Sequence, residues 1–133
     1  MAIQLSVAVR NARLDSIETT VGATAVLKIR SGAAPADCAT ADSGTVLATL
    51  TLPSDWMAAA SAGVKGKSGT WSDASADATG TAAHFRVYES TGTTCGIQGT
   101  VGTSATDMIV DSVSFTAGQS FTISQFDLTD GNA

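Results

Sequence analysis

The stretch Thr81-Ala-Ala-His-Phe-Arg-Val-Tyr-Glu89 decides how this chain is read. Ala83, Phe85 and Val87 alternate with His84, Arg86 and Tyr88, which is the period of a strand with one apolar and one polar face. Ser90-Thr-Gly-Thr93 follows with the chemistry of a tight turn, and Thr94-Cys-Gly-Ile-Gln-Gly-Thr-Val101 returns as its hairpin partner. The chain is therefore predicted to be β-rich.

Downstream, Asp107–Phe115 and Ser120–Leu128 read as a second hairpin across Thr116-Ala-Gly-Gln119. Upstream, Thr45–Leu52 places Val46, Ala48, Leu50 and Leu52 on one face until Pro53 ends the run. Thr24–Arg30 sets Ala25, Leu27 and Ile29 against Val26, Lys28 and Arg30. Between these two strands, residues 31–44 are a long loop of turn formers. Val64–Trp71 carries Gly66 and Gly69 and is expected as an edge or bulged strand. The segment around Trp56 fits either a helical turn or a short strand. Only the start of the chain breaks the strand period. Val7, Arg10, Leu14, Ile17 and Val21 follow 3/4 spacing, with Ser6 as N-cap and Gly22 as the C-terminal stop, which predicts a helix over Val7–Thr20. Asp15 and Glu18 fall late in this helix, where its dipole disfavours anions.

The fold expected from these readings is mainly β: an antiparallel β-sandwich or small barrel of about seven or eight short strands with one N-terminal α-helix. The 133 residues fit a single domain, with 1–22 as the helical element and 23–133 as the β-domain. Composition excludes several functional classes. Ala, Gly, Ser and Thr make up just over half of the chain, and the seven Lys and Arg are dispersed, so there is no basic stripe for nucleic acid. No apolar run approaches the roughly 20 residues of a membrane helix. The start Met1-Ala-Ile-Gln-Leu5 lacks the regions of a secretory signal, so Cys38 and Cys95 are expected as two reduced, partly buried thiols. Were they to pair, closing a loop of roughly 60 residues would stabilise the fold by ~4 kcal/mol.

Candidate chemistry is sparse. Gly66-Lys-Ser68 ends like a phosphate-binding loop, but Ser61 stands where its first glycine belongs and Gly69-Thr-Trp71 does not open a helix. Asp73, Ser75, Asp77 and Thr79 have the odd spacing of a calcium loop, yet Ala78 replaces its glycine and His84 its closing glutamate. His84, the one histidine, is expected on a strand facing solvent or an interface. No Gly-x-Ser-x-Gly elbow occurs, and neither cysteine has a basic neighbour to activate it. No catalytic residue, metal site or cofactor is assigned.

Several segments carry a resemblance. Ala8-Val-Arg-Asn-Ala-Arg-Leu-Asp-Ser-Ile-Glu18, Ile29-Arg-Ser-Gly-Ala-Ala-Pro-Ala-Asp-Cys38 and Leu52-Pro-Ser-Asp-Trp-Met-Ala58 resemble small structural proteins of tailed bacteriophages and prophages. Lys67-Ser-Gly-Thr-Trp71, His84-Phe-Arg86 and Phe126-Asp-Leu-Thr-Asp-Gly-Asn132 extend the similarity over nearly the whole chain. The resemblance implies a non-enzymatic virion protein made in the host cytoplasm. The role attached to it is an accessory capsid decoration or cement subunit on the outside of the head. Its partners would be the major capsid protein and copies of itself, as a trimer, with no nucleic acid and no membrane. A neck, tail or fibre-associated subunit is the first alternative, and a surface carbohydrate-binding or small hydrolase module the second. Candidate partner contacts are Arg10, Arg13, Leu14 and Ile17 on the helix, with Trp56 and Trp71 as aromatic anchors.

Overall fold

Ser6 begins the first element, as its cap residues require. Its extended backbone and its Oγ, which accepts from the Val9 N–H at 3.2 Å, start helix α1 (Val7–Val21). Gly22, at φ +96°, ends it by donating to the Glu18 carbonyl. The computed structural model describes residues 2–131. After α1 come β1 (Val26–Ser31), β2 (Val46–Thr51), β3 (Val64–Gly66), β4 (Trp71–Asp73), β5 (Gly80–Tyr88), β6 (Cys95–Gly102), β7 (Met108–Val110), β8 (Ser114–Phe115) and β9 (Phe121–Thr129). They form one curled, mixed sheet that wraps into a half-barrel, so the fold is mainly β with a single N-terminal helix. No helix among the described residues is long and apolar enough to cross a membrane.

The strand order is β2-β1-β5-β6-β7-β9-β3, with β4 also on β9 and β8 also on β5. The expected β5–β6 hairpin is present, with Phe85 opposite Gly99 and Val87 opposite Ile97. Other expectations need correction. The described strands number nine, in keeping with the expected about seven or eight, but β6 and β7 run parallel rather than antiparallel. That parallel pairing is only two residues long and needs no long crossover. Asp107 folds the connection back by accepting from both the N–H and the hydroxyl of Thr100. Gly99 makes room for this, because a Cβ there would lie 2.8 Å from the Asp107 carboxylate. The second hairpin forms only in part. β7 pairs with β9, whereas β8 turns away to pair with β5, where Phe115 stacks on Phe121.

Two bulges shift the predicted faces. Leu47 is an extra residue between the pairs Ile29–Ala48 and Arg30–Val46, so Leu47 enters the core in place of Val46. On β5 the register slips between Arg30–His84 and Ser31–Ala82, which puts Ala82 rather than Ala83 inside. The predicted edge strand over 64–71 is divided into β3 and β4, with Gly69 at φ +72° between them. The Trp56 segment makes an isolated bridge, Met57 to Lys67, and no helical turn.

The core is strung on a row of aromatic rings. Trp56 lies 6.1 Å from Trp71, Trp71 lies 5.6 Å from Phe126, and Phe126 meets Phe85 edge-on at 5.4 Å. Leu27, Ile29, Leu47 and Ile123 pack around this row. Both indole N–H groups keep a partner in the interior: Trp56 donates to the Gly22 carbonyl and Trp71 to the Ser68 carbonyl. In place of two reduced thiols, Cys38 and Cys95 are joined in a disulfide that ties the 31–44 loop to the start of β6. Trp71→Ala, which empties the middle of the aromatic row, is expected to cost about 3–5 kcal/mol in urea unfolding. A loss below about 1 kcal/mol would show that the row is not the centre of the core.

Candidate functional site

Three polar side chains of α1 act as pegs for the chain that runs beside it. Asn11, Asp15 and Glu18 lie on one helix face, and their side chains accept from the backbone N–H groups of Gly63, Ala60 and Met57 at 2.9, 2.9 and 3.1 Å. The 57–63 segment has no strand partner along much of its length, so these pegs satisfy donors that burial would otherwise orphan. Lys65, buried on β3, completes the arrangement. Its ammonium reaches Asp15 at 2.8 Å, Glu18 at 3.0 Å and the Ala58 carbonyl at 2.9 Å, one acceptor for each proton. Burial opposes its charge, but the hydrogen bonds to Asp15 and Glu18 outweigh that and raise its pKa. The hydrogen bond from Lys65, followed by that from Ala60, lowers the Asp15 pKa. The late position of Asp15 and Glu18, unfavourable to the helix dipole, is thus offset by a buried cation.

A second constellation occupies the polar face of β1 and β5. Arg30, His84, Arg86 and Tyr88, on the strand faces opposite the apolar ones, are all buried beneath residues 32–44. The Asp42 carboxylate meets Arg86 at 2.7 Å, the Tyr88 hydroxyl at 2.7 Å and Arg30 at 3.0 Å. Arg86 also donates to the carbonyls of Asp37 and Thr40 and to Gln98. Burial pushes the Asp42 carboxyl upward, but hydrogen bonds from Tyr88 and Arg86 prevail and hold it below the usual range. His84 is not solvent-facing: its ring Nδ1 lies 2.7 Å from the Gly32 carbonyl.

The six predicted contact residues do not form one surface. Leu14, Trp56 and Trp71 are interior. Arg10 reaches the Asp130 carbonyl and Arg13 its carboxylate, so both arginines tie α1 to the end of β9. Ile17 lines one open groove with Val21, Thr94 and Gly96, and a second with Arg13, Leu14 and Asp130. The oxygens of the calcium-like spacing serve the fold. Asp73 accepts from the Ser75 N–H, Asp77 from the Thr49 hydroxyl and Thr79 from the Ala117 N–H. Lys67, of the phosphate-loop near match, donates to the Gly69 carbonyl.

The groups most engaged in electrostatics, Lys65, Arg30, Arg86 and Asp42, were not singled out from sequence. The one available signal was the misplaced acid pair in α1. These shifts set a pH dependence. Asp15, Asp37, Asp42 and Glu89 all have lowered pKa values, Glu89 through the Thr91 hydroxyl and then the Thr94 and Thr93 N–H groups. Such groups contribute stability above the unfolded carboxylate pKa near ~4 and lose it as pH falls through their folded values. Lys65, whose pKa is raised, contributes below the unfolded value near ~10.4 and loses it as pH rises through its folded value. Urea midpoints measured across pH are therefore expected to fall at both extremes. Lys65→Ala is expected to flatten the alkaline fall and to cost about 3 kcal/mol at neutral pH, the low end for a broken buried pair because Asp15 reaches water. An unchanged midpoint would mean that the helix is held by its apolar contacts alone.

No protein-family model, curated protein or solved structure matches the chain.

Proposed function

We propose that this protein is a non-enzymatic structural subunit of a phage virion, acting as an accessory decoration or cement protein on the outer surface of the head. Its partners in this reading are the major capsid protein and further copies of itself. The observation that carries the reading is how the charged interior is used. Buried Arg30, Lys65, Arg86 and Asp130 each bind a loop, a helix or a strand end of the same chain. Such cross-bracing suits a domain that must stay rigid while it holds a lattice together. The resemblance of the sequence to small structural proteins of tailed phages supplies the placement in a virion.

The exposed apolar residues supply a docking region. Ile3 is 81% exposed, and Val7 and Val9 follow it along the start of α1. A carbohydrate-binding module would need aromatic side chains at the surface, and burial of both tryptophans counts against that alternative.

The test mixes purified protein with expanded capsids that lack it, prepared from the phage that encodes it, and counts bound copies. On the order of hundreds of copies per particle, with raised thermal resistance, is the expected result. No binding, or a count of about six or twelve at one vertex, would overturn the decoration reading, and the vertex count would move the protein to the neck or tail. Ile3→Asp is expected to weaken capsid binding tenfold or more (about 1.4 kcal/mol or more) while leaving the thermal midpoint of the free protein unchanged.

A further inference from the structure

Residues 32–44 form a flap with an unusual anchorage. Its neck is closed by the Ser31 N–H donating to the Thr45 carbonyl and by the Thr45 N–H donating to the Ser31 hydroxyl, each at 3.0 Å. Gly32 at φ +77° and Gly44 at φ +73° stand at its two ends, where the chain must reverse. None of its residues belongs to the hydrophobic core. It is held down by the Cys38–Cys95 bond and by polar contacts: Asp42 with both arginines and Tyr88, the carbonyls of Asp37 and Thr40 with Arg86, the Pro35 carbonyl with Gln98, and the Gly32 carbonyl with His84. A segment without buried apolar anchors lies at the low-stability end of a fold.

The floor beneath the flap is built for an anion. Cross-strand pairing sets Lys28 beside Arg86 and Arg30 beside His84 on β1 and β5. The Lys28 ammonium stands over the Tyr88 ring, 5.1 Å from its centre. Among the described residues, the only carboxylate paired with either arginine is that of Asp42. The donors and their acceptor differ in burial: the Arg30 and Arg86 side chains are 8% and 3% exposed, the Asp42 side chain 41%. The carboxylate thus sits at a mouth open to water, with its donors fixed behind it. Asp42 does not saturate them either. Arg30 Nε is buried without an acceptor. A carboxylate free of the flap backbone could engage Arg30 side-on, through two nitrogens instead of one.

We infer that Arg30, Arg86 and Tyr88 form a carboxylate-receptor site, that Asp42 is its built-in occupant, and that the Cys38–Cys95 bond is the latch that keeps outside carboxylates from replacing it. Both cysteines are half-buried and within reach of a reductant. A dithiol opens the latch in two exchanges. One of its thiolates attacks a sulfur of the bond, giving a mixed disulfide and one free cysteine. Its second thiolate then displaces the other cysteine and the reductant leaves as a cyclic disulfide. Two electrons and two protons end on Cys38 and Cys95. With the latch open, Asp42 competes only through its tether, and an external carboxylate can take its place. This inference stands on the flap and its floor and does not depend on the virion reading.

The experiment is calorimetric titration of the full chain with succinate and, separately, with a short oligoglutamate peptide. Three forms are compared: oxidised, reduced with dithiothreitol (a reductant that carries no carboxylate), and reduced Asp42→Asn. Sodium chloride at matched ionic strength is the control. The oxidised protein is expected not to bind, the reduced protein to bind, and Asp42→Asn to bind at least tenfold more tightly than the reduced parent. Amide exchange in residues 32–44 should accelerate at least tenfold on reduction, with β5 and β6 unchanged. Binding of both probes assigns the receptor to carboxylates in general. Binding of the peptide alone assigns it to acidic protein surfaces. If the reduced parent binds neither probe, binds no better than the oxidised form, or responds equally to chloride, the inference fails. The comparison of reduced with oxidised parent decides the matter even if Asp42→Asn does not fold.

Discussion

A guanidinium cannot be left in a protein interior without acceptors, and the arrangement around Arg86 follows from that constraint. β5 lies near the middle of the sheet and is covered on both sides. Phe85 and Val87 face the aromatic row, and Arg86 and Tyr88 face the other way. Burying the second face requires acceptors for every Arg86 donor that loses water. Gln98 on β6 provides one, and the carbonyls of Asp37 and Thr40 and the carboxylate of Asp42 provide the rest. The 32–44 loop is therefore the polar half of the interior's hydrogen bonding, although it lies outside the hydrophobic core.

The helix obeys the same rule with opposite components. There the unsatisfied groups are backbone N–H donors of the 57–63 segment, and the helix answers with acceptors on Asn11, Asp15 and Glu18. Excess negative charge at that face is balanced by Lys65 from the neighbouring strand. The result is a helix attached largely by polar contacts, with Leu14 as its one fully buried apolar residue. This explains its weak apolar stripe. A helix docked by pegs does not need a broad hydrophobic face.

These two polar layers bear on function through rigidity. A domain whose loop and helix are each tied to the sheet by charge-assisted bonds resists local opening better than one held by small Ala and Ser side chains alone. That property fits a subunit whose task is to hold neighbours in place. The 32–44 loop shares that rigidity while the Cys38–Cys95 bond is closed, since its other attachments are exchangeable polar contacts.

Much of the local structure was legible in the chain. The N-cap at Ser6 and the stop at Gly22 bracketed the helix to within a residue, and the alternation of Ala25, Leu27 and Ile29 named a buried strand face. The β5–β6 hairpin followed from its period and its turn residues. These features depend on neighbours in sequence, which propensity and periodicity report directly. Other features were not legible. Arg30, His84 and Arg86 alternate with apolar residues in the way solvent-facing side chains do. Whether such a face meets water or a loop is decided by segments distant in sequence. The Leu47 bulge, the short parallel pairing of β6 and β7, and the joining of Cys38 to Cys95 likewise depend on how the sheet curls. The sequence by itself determined which residues form the helix and most of the strands, because backbone sterics and side-chain alternation act locally. Only the tertiary structure decided which polar faces are buried and what satisfies them, because a buried charge is stable only where the fold brings it partners from elsewhere in the chain.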